Sequence, residues 1–233
     1  MAMLCFFTDF GATGPYVGQL HAAAEAVAPG LARVDLQHDA PAFRPKPAAY
    51  LLAALAPALP RDAALCAVVD PGVGTGRRAL MLEADGRKLV GPDNGLLAIV
   101  AKRATRTAWR EIVWVPPRLS ASFHGRDLFA PAAARWAAGD PLESRPLDGP
   151  APVGLDWPDD LAEIVYVDAY GNCMTGLRAE RAHLDFARRR TFAEAGAGEL
   201  FWYENSAGLA EIAVNQGSAA EALGLGVGAP VDG

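Results

Sequence analysis

Two aspartates, Asp9 and Asp70, follow on short apolar runs, Met3 to Phe7, which Thr8 ends, and Leu65 to Val69. Such runs read as strands, and a carboxylate at the carboxyl end of a strand in an open α/β sheet stands at the rim where ligands bind. Each could instead be a turn-forming or helix-capping aspartate. Asp70 opens the series Asp70-x-Gly72-x-Gly74-x-Gly76, and glycines there let backbone N–H groups come close to a ligand. A dinucleotide fingerprint would need a third glycine where Arg77 stands, and a phosphate-binding Gly-Lys-Ser/Thr is missing. A second cluster, Phe123-His124-Gly125-Arg126-Asp127, sets an imidazole at a glycine turn ahead of an Ala-rich helix. Imidazole titrates near neutral pH and suits proton transfer; an N-capping segment with a hydrogen-bonded histidine is the plainer reading.

The elements that must hold these groups alternate between strand and helix. Met3 to Phe7 is followed by helical spacing from Tyr16 to Ala28, a strand at Leu31 to Gln37 and an Ala/Leu helix from Pro47 to Leu59 that Pro60 ends. After Leu65 to Val69, Arg78 to Glu83 and Arg87 to Val90 read as a hairpin around Asp85-Gly86. Gly91 to Gly95 opens a helix through Lys102, Glu111 to Val115 is strand-like, and the Ala-rich helix ends at Ala138. Gly139 to Pro158 then breaks the pattern with five prolines. Beyond it Ile164 to Val167, Cys173 to Leu177, Leu200 to Tyr203 and Leu209 to Ala213 are short strands. The fold class is therefore α/β: an N-terminal domain, 1–145, with a mainly parallel central sheet, a linker, 146–160, and a smaller, mostly β domain, 161–233.

Composition narrows the function classes. The 233 residues carry 21 Lys+Arg against 27 Asp+Glu, a net charge of −6, which disfavours binding to a phosphate backbone. With 52% hydrophobic and 21% charged residues the chain can bury a core. No apolar run reaches the roughly 18 residues of a membrane span, and MAMLCFFTDF lacks the basic start of an export signal, so a cytoplasmic protein is expected. Cys5, Cys66 and Cys173 are far apart and read as buried thiols. His21 and His38 read as solvated or loop residues; no histidine pair has ligand spacing, so no catalytic metal is expected. Ser206, in Asn205-Ser206-Ala207-Gly208, lacks the glycine that precedes a hydrolase nucleophile.

Taken together, Thr8-Asp9-Phe10-Gly11 with Tyr16-Val17-Gly18, Val69 to Thr75 with Arg77, Gly91-Pro92-Asp93-Asn94-Gly95, Phe123 to Asp127 with Ala130-Pro131, and Asp168-Ala169-Tyr170-Gly171-Asn172 resemble the S-adenosylmethionine (SAM) hydroxide adenosyltransferases, or SAM hydrolases. That family is related to the enzymes that make fluorinated and chlorinated adenosine from SAM. The resemblance implies an α/β domain, a C-terminal β-barrel-like domain, and a homotrimer with SAM between the N-terminal domain of one subunit and the C-terminal domain of the next. It implies attack of water or hydroxide on C5′ of the ribose, giving adenosine and methionine, with SAM as substrate and no cofactor or metal. Asp70, Arg77 and His124 match the residues assigned to that water. Asp9 would hold the ribose hydroxyls, Asp168 the methionine ammonium, and Asn172 and Ser206 the adenine and the methionine end. The halogenating relatives carry Tyr at the position of Asp70 and Tyr-Ser in place of His124-Gly125. Gly14 and His21 depart from the family, which commonly has an acidic residue and a Lys there. A SAM-dependent methyltransferase, predicting a helix after Gly76, a halogenase, and a non-catalytic SAM or adenosine sensor are the alternatives.

Overall fold

The computed structural model describes residues 3–231. The chain divides into two compact units, one built on the residues before Ala54 with Leu59–Trp157, the other on Ala54–Ala58 with the residues from Pro158 onward.

In the first unit, β1 (Met3–Thr8), α1 (Tyr16–Val27), β2 (Ala32–Gln37), α2 (Pro45–Leu55), β3 (Ala64–Val68), β4 (Ala79–Ala84), β5 (Arg87–Pro92), α3 (Ala98–Arg103), β6 (Thr107–Ile112), α4 (Ala130–Ala138) and β7 (Ser144–Pro146) follow in order. The strands form a seven-stranded sheet in the order β2-β1-β3-β5-β4-β6-β7. β3 and, up to Thr8, β1 are apolar because they run inside the sheet; Leu4, Phe6, Cys66 and Val68 pack with Leu20 and Ala24 of α1 and with the alanines of α4.

The sheet is not mainly parallel. The pairings β2–β1, β1–β3 and β3–β5 are parallel, whereas β5–β4, β4–β6 and β6–β7 are antiparallel. The cause is the hairpin between β4 and β5, where Asp85 (φ 48°) and Gly86 (φ 91°) both take left-handed conformations and fold the chain back beside itself. β6 lies earlier than the apolar residues suggest. Its outer part carries Arg110, which donates to Ser144 Oγ at 2.9 Å, and Glu111, which accepts from Arg145 at 2.7 Å; this polar edge pairing masks the strand. Residues 146–157 belong to the first unit, held by Arg78 donating to the carbonyls of Asp148 and Ala151 and by Val153 N–H donating to Asp93 at 3.0 Å.

The second unit contains β8 (Leu161–Val167), β9 (Cys173–Arg178), β10 (Ala187–Arg188), β11 (Leu200–Glu204), β12 (Leu209–Val214) and the short α5 (Ala219–Leu223). Its sheet runs β10-β11-β12-β9-β8. It is open: β10 is too short, and is paired only with β11, so the barrel-like domain implied by the resemblance is instead an open five-stranded sheet. Ile164, Cys173, Trp202 and Ile212 fill its core. Cys5, Cys66 and Cys173 are all buried, and burial pushes the thiols of Cys5 and Cys173 up to about 11 and that of Cys66 further. Among the described residues no helix is long and apolar enough to cross a membrane.

Candidate active site

β1 and β3 are neighbours with Thr8 opposite Val68, so Asp9 and Asp70 emerge side by side at the carboxyl rim of the parallel half. The glycine loop after Asp70 leads into β4, not into a helix, which removes the one structural expectation of the methyltransferase reading. At Gly74 the backbone has φ +80° and a Cβ would stand 2.5 Å from the Ala121 carbonyl oxygen. Glycine thereby lets this loop lie against the segment that leads to His124.

Arg77 ties the two segments together. Its Nε donates to both Asp70 oxygens at 2.8 and 2.9 Å, its Nη2 also pairs with Asp70, and Nη2 donates to His124 Nδ1 at 3.3 Å. The side chains of Arg77 and Asp70 are 9% and 5% exposed, and the guanidinium lies 5.0 Å from the centre of the Phe129 ring. Because a guanidinium has no acceptor, His124 Nδ1 must supply the lone pair, which puts the proton of the neutral ring on Nε2. Burial, then the Arg77 charge, holds the His124 pKa below its usual value. The ring is neutral at pH 7 and offers an N–H. Asp9 accepts from Phe43 N–H at 3.0 Å, and burial raises its pKa above the ordinary aspartate range.

Asp9, Asp70 and His124 share a cavity of about 590 Å³ with Phe10, Tyr16, Phe43, Ser122 and Phe123 among its walls. The sequence reading passed over the aromatic wall as a functional element. Phe10, Tyr16 and Phe123 meet edge to face at centroid distances of 6.2, 5.6 and 5.4 Å. Arg126 lies 5.0 Å from the centre of Phe123, pairs with Asp127 at 2.6 Å and donates to Gln19 at 2.8 Å.

The second unit has its own cavity, about 630 Å³, lined by Asp168, Tyr170, Asn172, Phe192, Tyr203, Val214, Gln216, Gly217 and Ser218. Asp168 accepts from the backbone N–H groups of Tyr170 and Asn172 and from Asn172 Nδ2, each at 2.9 Å. That last bond fixes the Asn172 amide, since the flipped form would set oxygen against carboxylate; its Oδ1 is buried without a hydrogen-bond partner. Behind the wall, buried Glu211 accepts from Tyr203 Oη at 2.6 Å and Asn205 Nδ2 at 2.7 Å, and burial raises its pKa. Ser206 is exposed in the turn between β11 and β12 and does not line this cavity. Its neighbour Asn205 turns inward instead.

Residues 4–145 match the model of the SAM hydroxide adenosyltransferase N-terminal domain, and residues 162–232 that of the C-terminal domain. The chain belongs to the SAM hydroxide adenosyltransferase family. It is 41% identical to a Thermus thermophilus protein named (R)-S-adenosyl-L-methionine hydrolase, with 99% of each chain covered, and 39% identical to one of the same name from Salinispora arenicola, covering 95% of this chain and 94% of that one. An uncharacterized conserved protein of Thermotoga maritima superposes with a TM-score of 0.86 at 30% identity, over 97% of this chain and 98% of that one.

For a chain of this family the histidines outside the site hold a surprise. His21 and His38, read from the sequence as solvated or loop residues, converge on Asp35: His21 Nε2 lies 2.7 Å and His38 Nε2 3.0 Å from Asp35 Oδ1. His38 is buried. Only the folding of α1 onto β2 brings these residues together, and nothing in their spacing announces it.

Proposed function

We propose that the protein hydrolyses S-adenosyl-L-methionine to adenosine and L-methionine by attack of water on C5′ of the ribose. The observation that carries this reading is the convergence of Asp9, Asp70 and His124 on one cavity, with Arg77 bonded to both Asp70 and His124. A sulfonium leaves as a neutral thioether, so departure of methionine needs neither acid nor metal; the demand falls on the nucleophile. The C5′–O bond forms as the C5′–S bond breaks with its electron pair passing to sulfur. The proton of the water goes to Asp70, whose carboxylate keeps lone pairs beyond those that Arg77 uses, and then to solvent. His124, neutral with its proton on Nε2, orients the water as a donor, and Arg77 fixes both partners.

In the same reading Asp9 accepts from the ribose hydroxyls, since the two oxygens of a carboxylate match a cis-diol. Asp168 pairs with the methionine ammonium. The free Oδ1 of Asn172 accepts from the adenine amino group; Ser206, exposed outside this cavity, has no role in it. The second unit of one subunit and the first unit of the next share each SAM in a homotrimer. We carry over from the names of the relatives the (R) configuration at sulfur, and take the cytoplasm as the working compartment, with no second cofactor.

The test is incubation of purified protein with each sulfonium epimer of SAM, without methyl acceptor or added metal, followed by chromatography. Equal adenosine and methionine, faster from the (R) epimer, is the expected result. S-Adenosylhomocysteine would indicate methyl transfer instead, and binding without turnover a sensor. Light scattering tests the trimer, and a monomer would remove the shared site.

A further inference from the structure

We propose that His21, Asp35 and His38 form a structural site for one divalent cation of borderline softness, with Zn²⁺ the best fit. One ligand atom from each of the three residues lies within 4.8 Å of the others, and His21 Nε2 and His38 Nε2 both face Asp35 Oδ1. Two imidazoles and a carboxylate are a donor set that suits such an ion and leaves a position for water. The His38 side chain is 6% exposed, and its Nε2 lies 3.0 Å from Asp35 Oδ1. A cation in the cluster would take the place of the proton between them and use the Nε2 lone pair.

The other ring nitrogen of His38 is already oriented. Nδ1 lies 2.7 Å from Thr8 Oγ1; with an ion bound, Nδ1–H would donate to that hydroxyl and leave the Nε2 lone pair to ligate, the usual supporting contact of a metal-bound histidine. Tetrahedral donors about 2.1 Å from zinc stand roughly 3.4 Å apart, so Asp35 must withdraw by about 0.4 to 0.7 Å from its 2.7 and 3.0 Å contacts, and the two imidazoles, whose ligand atoms lie within 4.8 Å of each other, must draw together. The Asp35 side chain is 44% exposed and free to withdraw, and His21, 30% exposed, leaves access for solvent and the ion. The nearby Arg33 is paired with Glu25, and its contact with His21 is to the backbone carbonyl. The ion would join α1, β2 and the residue after β2, and through Thr8 it would brace the end of β1 next to Asp9. It takes no part in the displacement at C5′.

Chelator-treated protein titrated with Zn²⁺ against a chromogenic competitor is expected to bind one equivalent, with a rise in Tm. Co²⁺ is expected to give visible d–d absorption of low-symmetry coordination. His21→Gln and Asp35→Asn, both at partly exposed positions, are expected to weaken binding by at least about tenfold, whereas His124→Gln leaves it unchanged. Absence of saturable binding at micromolar zinc overturns the proposal and leaves a hydrogen-bonded His-Asp-His cluster. Binding that survives both substitutions, or is lost in His124→Gln, overturns it by placing the ion elsewhere.

Discussion

The two cavities handle negative charge in opposite ways. In the first unit, Asp70 is neutralised by a guanidinium that grips both its oxygens and extends to His124. In the second, Asp168 is held by backbone and side-chain amides, Glu211 by a phenol and an amide, and among the described residues no Lys or Arg lines the cavity. Charge locked to charge fixes geometry, which a displacement reaction requires, while a carboxylate supported by neutral dipoles keeps its field for a cationic ligand. In the proposed function this contrast fits chemistry in the first unit and recognition of the methionine ammonium in the second.

The strongest way to break this contrast is to remove the cation. Arg77→Met is expected to lower kcat by about 10²- to 10³-fold, the range for loss of one preorganised charge donor. It also strands the buried Asp70 carboxylate, a loss of about 3–5 kcal/mol of stability. Arg77→Met combined with Asp70→Asn is expected to recover much of that stability in urea denaturation while staying inactive. A rise in KM with kcat intact would make Arg77 a binding residue and remove the distinction between the units.

A smaller effect, sharper in what it reports, comes from His124. His124→Gln is expected to cost about 10²-fold in kcat, the lower range for a group acting on a transferring proton. In the unaltered enzyme kcat/KM should hold through the ordinary imidazole range and decline only below it, because burial and Arg77 depress the pKa of His124. The same shift has a defined sign for stability. The unfolded chain takes up this proton first as pH falls, so the contribution of the neutral ring is whole above the ordinary value and is lost as pH drops through the depressed one. An acid limb at or above the ordinary value would mean that another group governs the rate.

For the second unit the expected signature is in KM. Asp168→Asn keeps an oxygen for the backbone N–H groups and deletes the charge, so KM should rise by about 10- to 100-fold, the equivalent of one hydrogen bond to a charged group, with kcat nearly unchanged. A SAM analogue lacking the amine should bind both proteins alike. If the variant still discriminates against that analogue, the ammonium lies elsewhere.

Much of this arrangement could be read from the chain because strands and carboxylates coincide. Asp9 and Asp70 end apolar runs, and Arg77 sits one short loop beyond Asp70, so the rim and its chemistry follow local sequence. What escaped depends on contacts across the chain or on residues that disguise their surroundings. Phe10 and Tyr16 meet Phe123 only after α1 packs near the turn that precedes α4. Glu211 interrupts a wholly buried strand, and a carboxylate there is legible only once Tyr203 and Asn205 are known to face it. The antiparallel half of the first sheet follows from one hairpin, but which strand β4 pairs with on its far side is decided by the long-range match to β6. The open edge of the second sheet depends on how soon β10 stops, and a two-residue strand has no periodicity to read.

The smallest expected effect tests whether the aromatic wall belongs to the catalytic side of the comparison. Gly125 begins the tight turn ahead of α4 and is buried, and a Cβ added there would fall 2.9 Å from Phe10 Cζ. The Phe10 ring can yield only by leaving its edge-to-face contacts with Tyr16 and Phe123. Overpacking of this kind costs about 1–3 kcal/mol, offset in part by the roughly 0.5–1 kcal/mol that alanine gains over glycine in a helical conformation. Gly125→Ala should therefore lose about 1 kcal/mol of stability, with kcat/KM reduced a few-fold because His124 adjoins the displaced turn. Adding Phe10→Leu removes the ring the new methyl meets. The double variant should regain stability toward that of Phe10→Leu alone, measured by urea denaturation, without regaining activity. Full activity in Gly125→Ala would show that the wall packs the site without positioning His124, and would narrow the catalytic side to Asp70, Arg77 and His124 themselves.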